Sequence, residues 1–514
     1  MTNDRQNDQH ESNGPDVLDA LIVGSGFSGI GAAVTLQKLG LEDFVILERD
    51  ARIGGTWAHH DYPGLEVDMP FFIYSFPFEM KADWSQLYPT GAEMREYTRH
   101  CIEKYDLARR TRCSISVERA EYDAERNVWH VHAESGEQWT TRYLVNATGP
   151  LVFPKLPDIP GLSDFEGDTI HSSEWDHGFD PTGKRVAVIG MGATAIQLIP
   201  ELAESAAQLD VYQRTPIWLL PKPNPKLSAR VQSILRAIPA TQVMARWLTN
   251  LFVEIVMGAG MVRYTRFPWI FAWIERKAAD FVRQEIDDPE VAAKLIPDYS
   301  FFCKRPSFSN TLYPTLNREN VSLRTDSIAR VTPKGIVCRD DAGNETEHPA
   351  DAIICATGYS VFDRTCMPGY ALIGATGEDL GALWERDRYR AYQGATVPGF
   401  PNLFLFMGPY SAAGASYFTM IDTQSHHMAR CIKEARRRET DYVEVRRSAF
   451  DRDAAKCDRR RETMVLFGGR CGTANSYYFD EHGDVPGMRP VTGGEHWLRS
   501  RTFPLSAYRF ERRA

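Results

Sequence analysis

Three glycines near the start of the chain have the spacing of a nucleotide-binding turn. Residues 24–29 read Gly-Ser-Gly-Phe-Ser-Gly; they follow a short apolar run, residues 18–23, and precede a stretch of small residues. In a strand–turn–helix unit the first glycine allows a tight bend, the second admits a pyrophosphate, and the third brings helix and strand close together. The N–H groups at the start of the helix can then bind the anion. The pattern predicts a dinucleotide site formed by Gly24, Gly26, Phe27, Ser28 and Gly29.

An acidic residue stands where such a site needs one. A second strand-like run, residues 44–47, ends at Glu48, which follows Gly29 by 19 residues. A carboxylate at this spacing accepts a hydrogen bond from a ribose hydroxyl of the dinucleotide. The glycines alone could form an ordinary turn, but strand, helix and acid together favour a cofactor site.

The same arrangement returns in the second quarter of the chain. Gly190, Gly192 and Ala195 follow a strand-like run, and the next strand, residues 209–212, ends in Gln-Arg-Thr instead of an acid. A guanidinium in that place favours the 2′-phosphate of NADPH. The alternative is that Arg214 is a surface arginine at a strand end. Two dinucleotide sites in one chain indicate a tightly held flavin and the nicotinamide that reduces it.

Composition argues against several other classes of protein. The 514 residues carry a net charge of −9 without a long basic run, which argues against a nucleic-acid partner. The nine cysteines include no C-x-x-C pair, which argues against a zinc site and against a disulfide reductase. We expect most of them to be small core residues in a reducing cytoplasm. The polar start of the chain lacks the features of a signal peptide, which agrees with a cytoplasmic location.

The order of these patterns predicts an α/β fold with two Rossmann-like dinucleotide-binding domains and a helical insertion. The expected parts are a disordered tail (1–15), an FAD-binding domain in two pieces (16–150 and 391–514), an NADPH-binding domain in two pieces (151–221 and 299–390) and the insertion (222–298). We expect an antiparallel meander at residues 113–132 and a strand-rich end of the chain. The apolar stretch 247–264 contains charges and does not suit a membrane span, so peripheral membrane contact stays open, as do monomer and homodimer.

Two longer motifs carry a family resemblance. Residues 165–176 read Phe-Glu-Gly-Asp-Thr-Ile-His-Ser-Ser-Glu-Trp-Asp, and residues 55–68 read Gly-Thr-Trp-Ala-His-His-Asp-Tyr-Pro-Gly-Leu-Glu-Val-Asp. With the two glycine turns, they resemble the type I Baeyer-Villiger monooxygenases, a group within the flavin-dependent monooxygenases. The first matches that family's FxGxxxHxxxW pattern followed by Pro or Asp, and the second its GxWxxxxYPGxxxD pattern. The matched positions of the first motif are Phe165, Gly167, His171, Trp175 and Asp176.

The resemblance implies an enzyme that uses FAD, NADPH and O2 to convert a small ketone to an ester or lactone. Reduced flavin would take up oxygen as a flavin peroxide, which attacks the ketone carbonyl. The residues then expected to bind NADPH are Gly190, Gly192, Thr194, Gln197, Arg214, Thr215 and Lys304. The expected FAD site also includes Gly55, Thr56, Trp57, Tyr74 and Val117.

Residues 302–306, Phe-Cys-Lys-Arg-Pro, resemble the family's active-site Lys-Arg pair. The resemblance implies that Arg305 stabilises the peroxide and the oxyanion of its adduct, because a guanidinium stays protonated. Asp68 would orient Arg305. Without the resemblance, an adjacent Lys-Arg is usually a solvated surface pair and Asp68 could simply cap a loop. For His171 a hydrogen-bonded linker role is favoured over that of a catalytic base.

Other functions stay open at this point. Related monooxygenases oxygenate nitrogen or sulfur, but they usually place a different aromatic residue where Trp175 stands, so Trp175 and Asp176 favour ketone oxygenation. A third possibility is a flavoprotein that binds nucleotides and turns over poorly. The segment 475–480 also departs from a family pattern that often has Trp where this chain has Tyr477.

Overall fold

The structure is a computed structural model that describes residues 17–362, 366–413 and 416–511. The strands are β1 (Leu18–Val23), β2 (Phe44–Leu47), β3 (Thr111–Arg112), β4 (Val117–Asp123), β5 (Val128–Ala133), β6 (Gln138–Asn146), β7 (Phe153–Pro154), β8 (Asp168–His171), β9 (Arg185–Ile189), β10 (Gln208–Tyr212), β11 (Leu219–Leu220), β12 (Ser307–Phe308), β13 (Val321–Arg324), β14 (Ser327–Thr332), β15 (Gly335–Arg339), β16 (Glu345–Pro349), β17 (Ala352–Cys355), β18 (Tyr359–Ser360), β19 (Ala371–Ile373), β20 (Leu403–Leu405), β21 (Tyr442–Val445) and β22 (Tyr508–Glu511). The helices are α1 (Phe27–Lys38), α2 (Thr56–His59), α3 (Gly91–Lys104), α4 (Ala193–Ala203), α5 (Ala229–Ala237), α6 (Pro239–Ile255), α7 (Pro268–Glu285), α8 (Pro289–Leu295), α9 (Leu312–Leu316), α10 (Leu380–Asp387), α11 (Tyr417–Arg437), α12 (Arg447–Arg461), α13 (Val465–Gly468) and α14 (Gly493–Thr502). A π-helical segment, Val256–Val262, continues α6.

The first sheet has eight strands in the order β19-β4-β5-β6-β1-β2-β3, with β20 also beside β6. At its centre β1 runs parallel to β2 and β6. The side chains of Ala20, Leu21 and Ile22 are fully buried, as expected of a strand covered on both faces. The β4, β5 and β6 strands pair antiparallel and form the predicted meander.

The second sheet has five parallel strands in the order β13-β10-β9-β17-β8. Helix α4 follows β9 directly and packs its apolar side into the core beneath this sheet. Each sheet thus begins with the strand, glycine turn and helix expected from the sequence. The prediction of an α/β fold with two Rossmann-like units is confirmed.

The helices α5 to α8 form an insertion in the second unit. The chain enters this insertion after β11 and returns from it at β12. Strands β11 and β12 flank this helical segment in the sequence and pair in parallel, Leu219 with Ser307 and Leu220 with Phe308. Lys304 and Arg305 lie just before β12, so the return of the segment sets their position. Among the described residues, no helix is both long enough and apolar enough to cross a bilayer.

Two sequence-based expectations about the second half of the chain are wrong, and one lies outside the described residues. The chain returns to the first sheet before residue 391, because β19 pairs with β4 and α10 packs on the core of that sheet. The end of the chain is not strand-rich: α12, α13 and α14 precede a single strand, β22. The buried residues of α12, Ala449, Asp453 and Cys457, recur every four positions, which is the spacing of one face of a helix. The expected disordered tail, 1–15, falls outside the residues that the structure describes.

We predict that Gly29→Ala prevents flavin loading. A Cβ atom at Gly29 would lie 2.0 Å from the carbonyl oxygen of Gly24, so the turn must open. We expect the flavin absorbance per polypeptide to fall to near zero. Gly472→Ala is the matched control, since its Cβ would meet nothing within 4 Å. Normal flavin content in Gly29→Ala would contradict this account of the turn.

Candidate active site

The first glycine turn lies at the carboxyl end of β1 and has room only for a bare backbone. Gly24 has a φ of +103°, and a Cβ atom there would lie 2.5 Å from the carbonyl oxygen of Ala147. Gly26 is the N-cap of α1 and no side chain caps this helix end. The N–H groups of Phe27, Ser28 and Gly29 therefore remain available to an anion, which fits the pyrophosphate of FAD.

Glu48 fixes this turn and keeps an acceptor position. Its Oε2 accepts hydrogen bonds from the N–H (2.9 Å) and the hydroxyl (2.6 Å) of Ser25, and its Oε1 accepts one from the N–H of Asp50 (2.9 Å). A carboxylate has about four acceptor positions. One remains for a ribose hydroxyl, so the carboxylate can serve both the turn and the cofactor.

The other expected FAD residues gather around this turn. Gly55 approaches so closely that a Cβ atom there would lie 2.7 Å from the Cα of Gly26. It precedes Thr56 and Trp57 in α2, and the Trp57 ring meets Tyr74 edge-on with centroids 5.9 Å apart. The Phe27 side chain packs edge-on against Phe76, and the Ser28 hydroxyl lies 2.9 Å from that of Tyr417. Val117 joins the core cluster that contains the last residues of β1 and β2.

The second glycine turn repeats the geometry of the first. Gly190 has a φ of +117°, and a Cβ atom there would lie 2.5 Å from the carbonyl oxygen of Ala356. Gly192 is the N-cap of α4, again without a side-chain cap, and its Cβ direction meets no atom within 4 Å. This open helix end fits a second pyrophosphate.

Two cations face each other beside the second turn. Lys304 is largely buried, and this burial, together with the nearby charge of Arg214, lowers the pKa of Lys304 to about 8. The Nε of Arg214 donates to the amide oxygen of Asn475 (2.8 Å), in the amide orientation that satisfies both groups. Neither cation has a carboxylate partner in the described parts of the chain. The pair, with Thr215 next to Arg214, fits an anionic ligand such as a 2′-phosphate.

Gln197 joins the two nucleotide units. Its Oε1 accepts from the hydroxyl of Tyr62 (3.0 Å) and from the N–H of Glu66 (3.3 Å), and its Nε2 donates to the carbonyl of Glu66 (2.8 Å). A Cβ atom at Gly64 would lie 2.4 Å from the Gln197 carbonyl oxygen. The loop before Asp68 thus rests on α4, which also carries Thr194, and most of the Gln197 amide is already engaged. The contact of Gln197 with NADPH stays a prediction.

His177, one position after the FxGxxxHxxxW motif, and Tyr359, whose ring lies 6.2 Å from that of His171, bring this motif beside the GxWxxxxYPGxxxD loop. His177 Nε2 and Asp61 Oδ2 lie 2.8 Å apart, and the hydroxyl of Tyr359 lies 2.8 Å from His60 Nε2. His171 is buried, its Nδ1 is 2.6 Å from the Ser173 hydroxyl, and burial lowers its pKa. These contacts agree with a linker role for His171 between the units.

The remaining positions of that motif have structural contacts. Phe165 packs against the outer core of the second sheet, and Gly167 leaves room for the carbonyl of Asp351. Trp175 packs against the core beneath the second sheet, and Asp176 accepts a hydrogen bond from the N–H of Gly178 (2.8 Å). In the described parts of the chain, no hydrogen bond, ion pair or ring contact joins these four residues to Arg305.

Arg305 and Asp68 form an ion pair across the junction of the two units. Both Nε (3.2 Å) and Nη2 (2.6 Å) of Arg305 donate to Oδ2 of Asp68. The carboxylate raises the pKa of Arg305 above its ordinary value, so the guanidinium is always charged. The Arg305 side chain is 49% exposed. Three of its five N–H groups have no hydrogen-bond partner among the described residues, which leaves them free for a ligand.

One covalent bond at this site has no local signal in the sequence. Cys303, immediately before Lys304, forms a disulfide with Cys471, 168 positions later. The absence of C-x-x-C could not reveal such a distant pair. Six of the other seven cysteines are buried, so most cysteines are core residues as expected. The disulfide holds the Lys304-Arg305 segment to the segment that carries Asn475 and Tyr478.

We predict that the KM for NADPH rises as the pH increases through about 8. The lowered pKa of Lys304 means that its positive charge is present below this pH and lost above it. The KM for NADH, which lacks the 2′-phosphate, should stay flat across the same range. Lys304→Met should raise the KM for NADPH by about tenfold, since a hydrogen bond to a charged group is lost, and should abolish the pH dependence. An unchanged preference for NADPH over NADH in Lys304→Met would contradict this assignment.

Comparison with known proteins identifies the family of this chain. The family model described as pyridine nucleotide-disulphide oxidoreductase matches residues 21–255. A Baeyer-Villiger monooxygenase of Pseudomonas aeruginosa is 37% identical over 95% of this chain and 90% of its own length. One of Streptomyces coelicolor is 35% identical over 96% of this chain and 92% of its own.

Solved structures agree as well. A steroid monooxygenase bound to NADP superposes with a TM-score of 0.85 at 27% identity, covering 97% of this chain and all of that one. The OTEMO complex with FAD and NADP gives a TM-score of 0.83 at 26% identity and the same coverage. Both known ligands are those that the two glycine turns fit. The chain therefore belongs to the Baeyer-Villiger monooxygenases, flavin-dependent enzymes that use FAD and NADPH.

Proposed function

We propose that this enzyme inserts one oxygen atom of O2 next to the carbonyl of a small apolar ketone, with Arg305 as its principal catalytic residue. One ketone, O2, NADPH and a proton would give an ester or lactone, NADP+ and water. The observation that carries this assignment is the ion pair between Arg305 and Asp68, which places a permanently charged, half-exposed guanidinium beside both nucleotide units.

The two cofactors supply the redox chemistry: when bound, NADPH provides two electrons and FAD uses them to activate O2. The protein has to hold the two cofactors at a fixed distance and orientation relative to each other. The first glycine turn and Glu48 would hold FAD, and the second turn with Arg214, Thr215 and Lys304 would hold NADPH. The Gln197 contacts with the Tyr62–Glu66 loop set the distance between these sites.

Arg305 is suited to negative charge that develops on oxygen. Its guanidinium stays protonated at any working pH, and three of its N–H groups point away from Asp68 without a described partner. Fixed donors of this kind stabilise an oxyanion without having to reorient during the reaction. Asp68 acts as a positioning residue. Two N–H groups of Arg305 donate to one oxygen of Asp68, and these two bonds limit the rotation of the guanidinium.

The surroundings of Arg305 favour an apolar substrate. Phe302, three positions before it, stacks on Tyr478 with ring centroids 6.2 Å apart, and Phe271 lies behind Phe302 at 6.4 Å. Tyr477 adjoins Tyr478 and is 46% exposed. Aromatic rings bind the hydrocarbon part of a ketone and exclude water from the reacting oxygen.

Ketone oxygenation is favoured over reaction at sulfur or nitrogen by the relatives and by Trp175 and Asp176. We also propose that the enzyme works in the cytoplasm, where NADPH is made and where thiols such as those of Cys101 and Cys431 stay reduced. The Cys303–Cys471 disulfide is compatible with that location, since Cys303 is fully buried and Cys471 partly buried, which limits the access of thiols.

We predict that Arg305→Ala lowers ester formation by about 10²- to 10³-fold, the loss that follows removal of one oxyanion donor. Flavin content and oxidation of NADPH should persist, with hydrogen peroxide released in place of ester. Arg305→Lys should be intermediate, because it keeps the charge and loses the planar fork. Ester and peroxide are measured by mass spectrometry and a peroxide assay on a panel of cyclic, linear and aryl ketones with one thioether.

The matched control is Arg185→Ala. Arg185 forms an equally close pair with Asp351 (2.6 Å), but at the amino end of β9, the sheet edge opposite the glycine turn. Its loss should leave product formation unchanged. Ester formation at the normal rate in Arg305→Ala would refute the assigned role, and sulfoxide without any ester from the intact enzyme would refute ketone oxygenation.

A further inference from the structure

We propose that the outer face of the helical insertion docks on the surface of an anionic lipid bilayer. Large apolar side chains are concentrated there: of the 17 that are strongly exposed in the described parts of the chain, 12 lie within residues 231–273. We call these 12 the apolar face. They are Val231, Ile234, Ile238, Val243, Met244, Trp247, Leu248, Leu251, Phe252, Ile255, Trp269 and Trp273.

The face follows helical spacing. Val243, Trp247, Leu251 and Ile255 recur every four residues along α6, and Met244, Leu248 and Phe252 run beside them. On a helix these positions form one continuous stripe. The stripe is exposed although it is the most apolar side of its helix, which is the reverse of the arrangement in a helix that packs on a core.

Helix α6 cannot turn this stripe inward. Arg246, on its inner side, donates to the carbonyl oxygens of Phe72 (3.0 Å) and Ser75 (2.8 Å) in the FAD unit. Near the other end, Glu254 accepts from the N–H groups of Gly493 (2.9 Å) and Gly494 (3.1 Å) at the start of α14. These bonds at both ends fix the rotation of the helix with its apolar stripe outward.

The charges around the face match an anionic surface. Residues 226–273 contain six basic side chains and a single acidic one, Glu254, in a chain whose net charge is −9. Glu254 is already bonded to α14. Five of the basic side chains are exposed and have no ion-pair partner among the described residues: Lys226, Arg230, Arg236, Arg263 and Arg266. Apolar side chains flanked by lysine and arginine are typical of helices that lie in the interface of an anionic membrane.

A bilayer fits this surface better than a second copy of the chain. A two-fold dimer would set the same patch against itself. The basic side chains would then meet their own copies, without acidic groups to neutralise them. Lipid phosphates supply the opposite charge, and the acyl region accepts the tryptophan and phenylalanine rings.

The test is sedimentation of the FAD-loaded enzyme with vesicles, either pure phosphatidylcholine or containing about one third phosphatidylglycerol. We expect binding to the anionic vesicles that weakens at high salt. Trp247→Ser with Phe252→Ser should weaken it by about tenfold or more, since two large side chains lose their apolar contact. Leu151→Ser with Leu156→Ser removes two comparably exposed side chains outside the face and should change nothing.

Charge is tested separately. Arg230→Glu with Arg236→Glu should reduce binding to the anionic vesicles, whereas Arg126→Glu with Arg452→Glu, an equal charge change elsewhere on the surface, should reduce it much less. Flavin absorbance and activity on a water-soluble ketone report that each variant is folded, independently of lipid. Equal binding to both kinds of vesicle, no binding to either, or a lipid-free dimer that Trp247→Ser with Phe252→Ser dissolves would each overturn the proposal.

Discussion

The ion pair between Asp68 and Arg305 is the constraint on which the site depends. Its members stand 237 positions apart, one in a loop of the first nucleotide unit and the other beside β12 of the second. A half-exposed pair of this kind contributes only about 0–1 kcal/mol to stability. Its importance is positional, because it fixes a charged group at the boundary between two cofactor sites.

Other contacts make this pairing possible. The loop that ends at Asp68 rests on α4 through Gln197 and Gly64. Its His60 and Asp61 contact Tyr359 and His177, which lie beside the FxGxxxHxxxW motif. On the opposite side, parallel pairing of β11 with β12 returns the chain next to Arg305. Both motifs therefore lie at the contact between the two nucleotide units and help to hold these units together. Most of these contacts are polar and partly exposed, so they can break and re-form more readily than a hydrophobic core.

Local patterns made much of the fold and part of the site predictable. Gly24 and Gly190 adopt the positive φ angles that their turns require, and β1 and β9 read as short apolar runs. Features that depend on distant partners were not predictable. Nothing around β19 shows that it pairs with β4, and nothing around Gln197 shows that its amide binds the Tyr62 loop. The pairing of Cys303 with Cys471 and the contact of Arg214 with Asn475 are of the same kind, because each joins segments brought together only by the complete fold.

The bond between Cys303 and Cys471 also determines what a single cut in the backbone would do. The interval between them contributes β13 and β17 to the second sheet and β19 and β20 to the first. It also contains an exposed turn, residues 341–344, and exposed turns are the preferred sites of proteolytic cleavage. A cut there would leave two polypeptides that the disulfide still joins. Over this third of the protein, the molecule therefore stays one covalent unit even when its main chain is broken once.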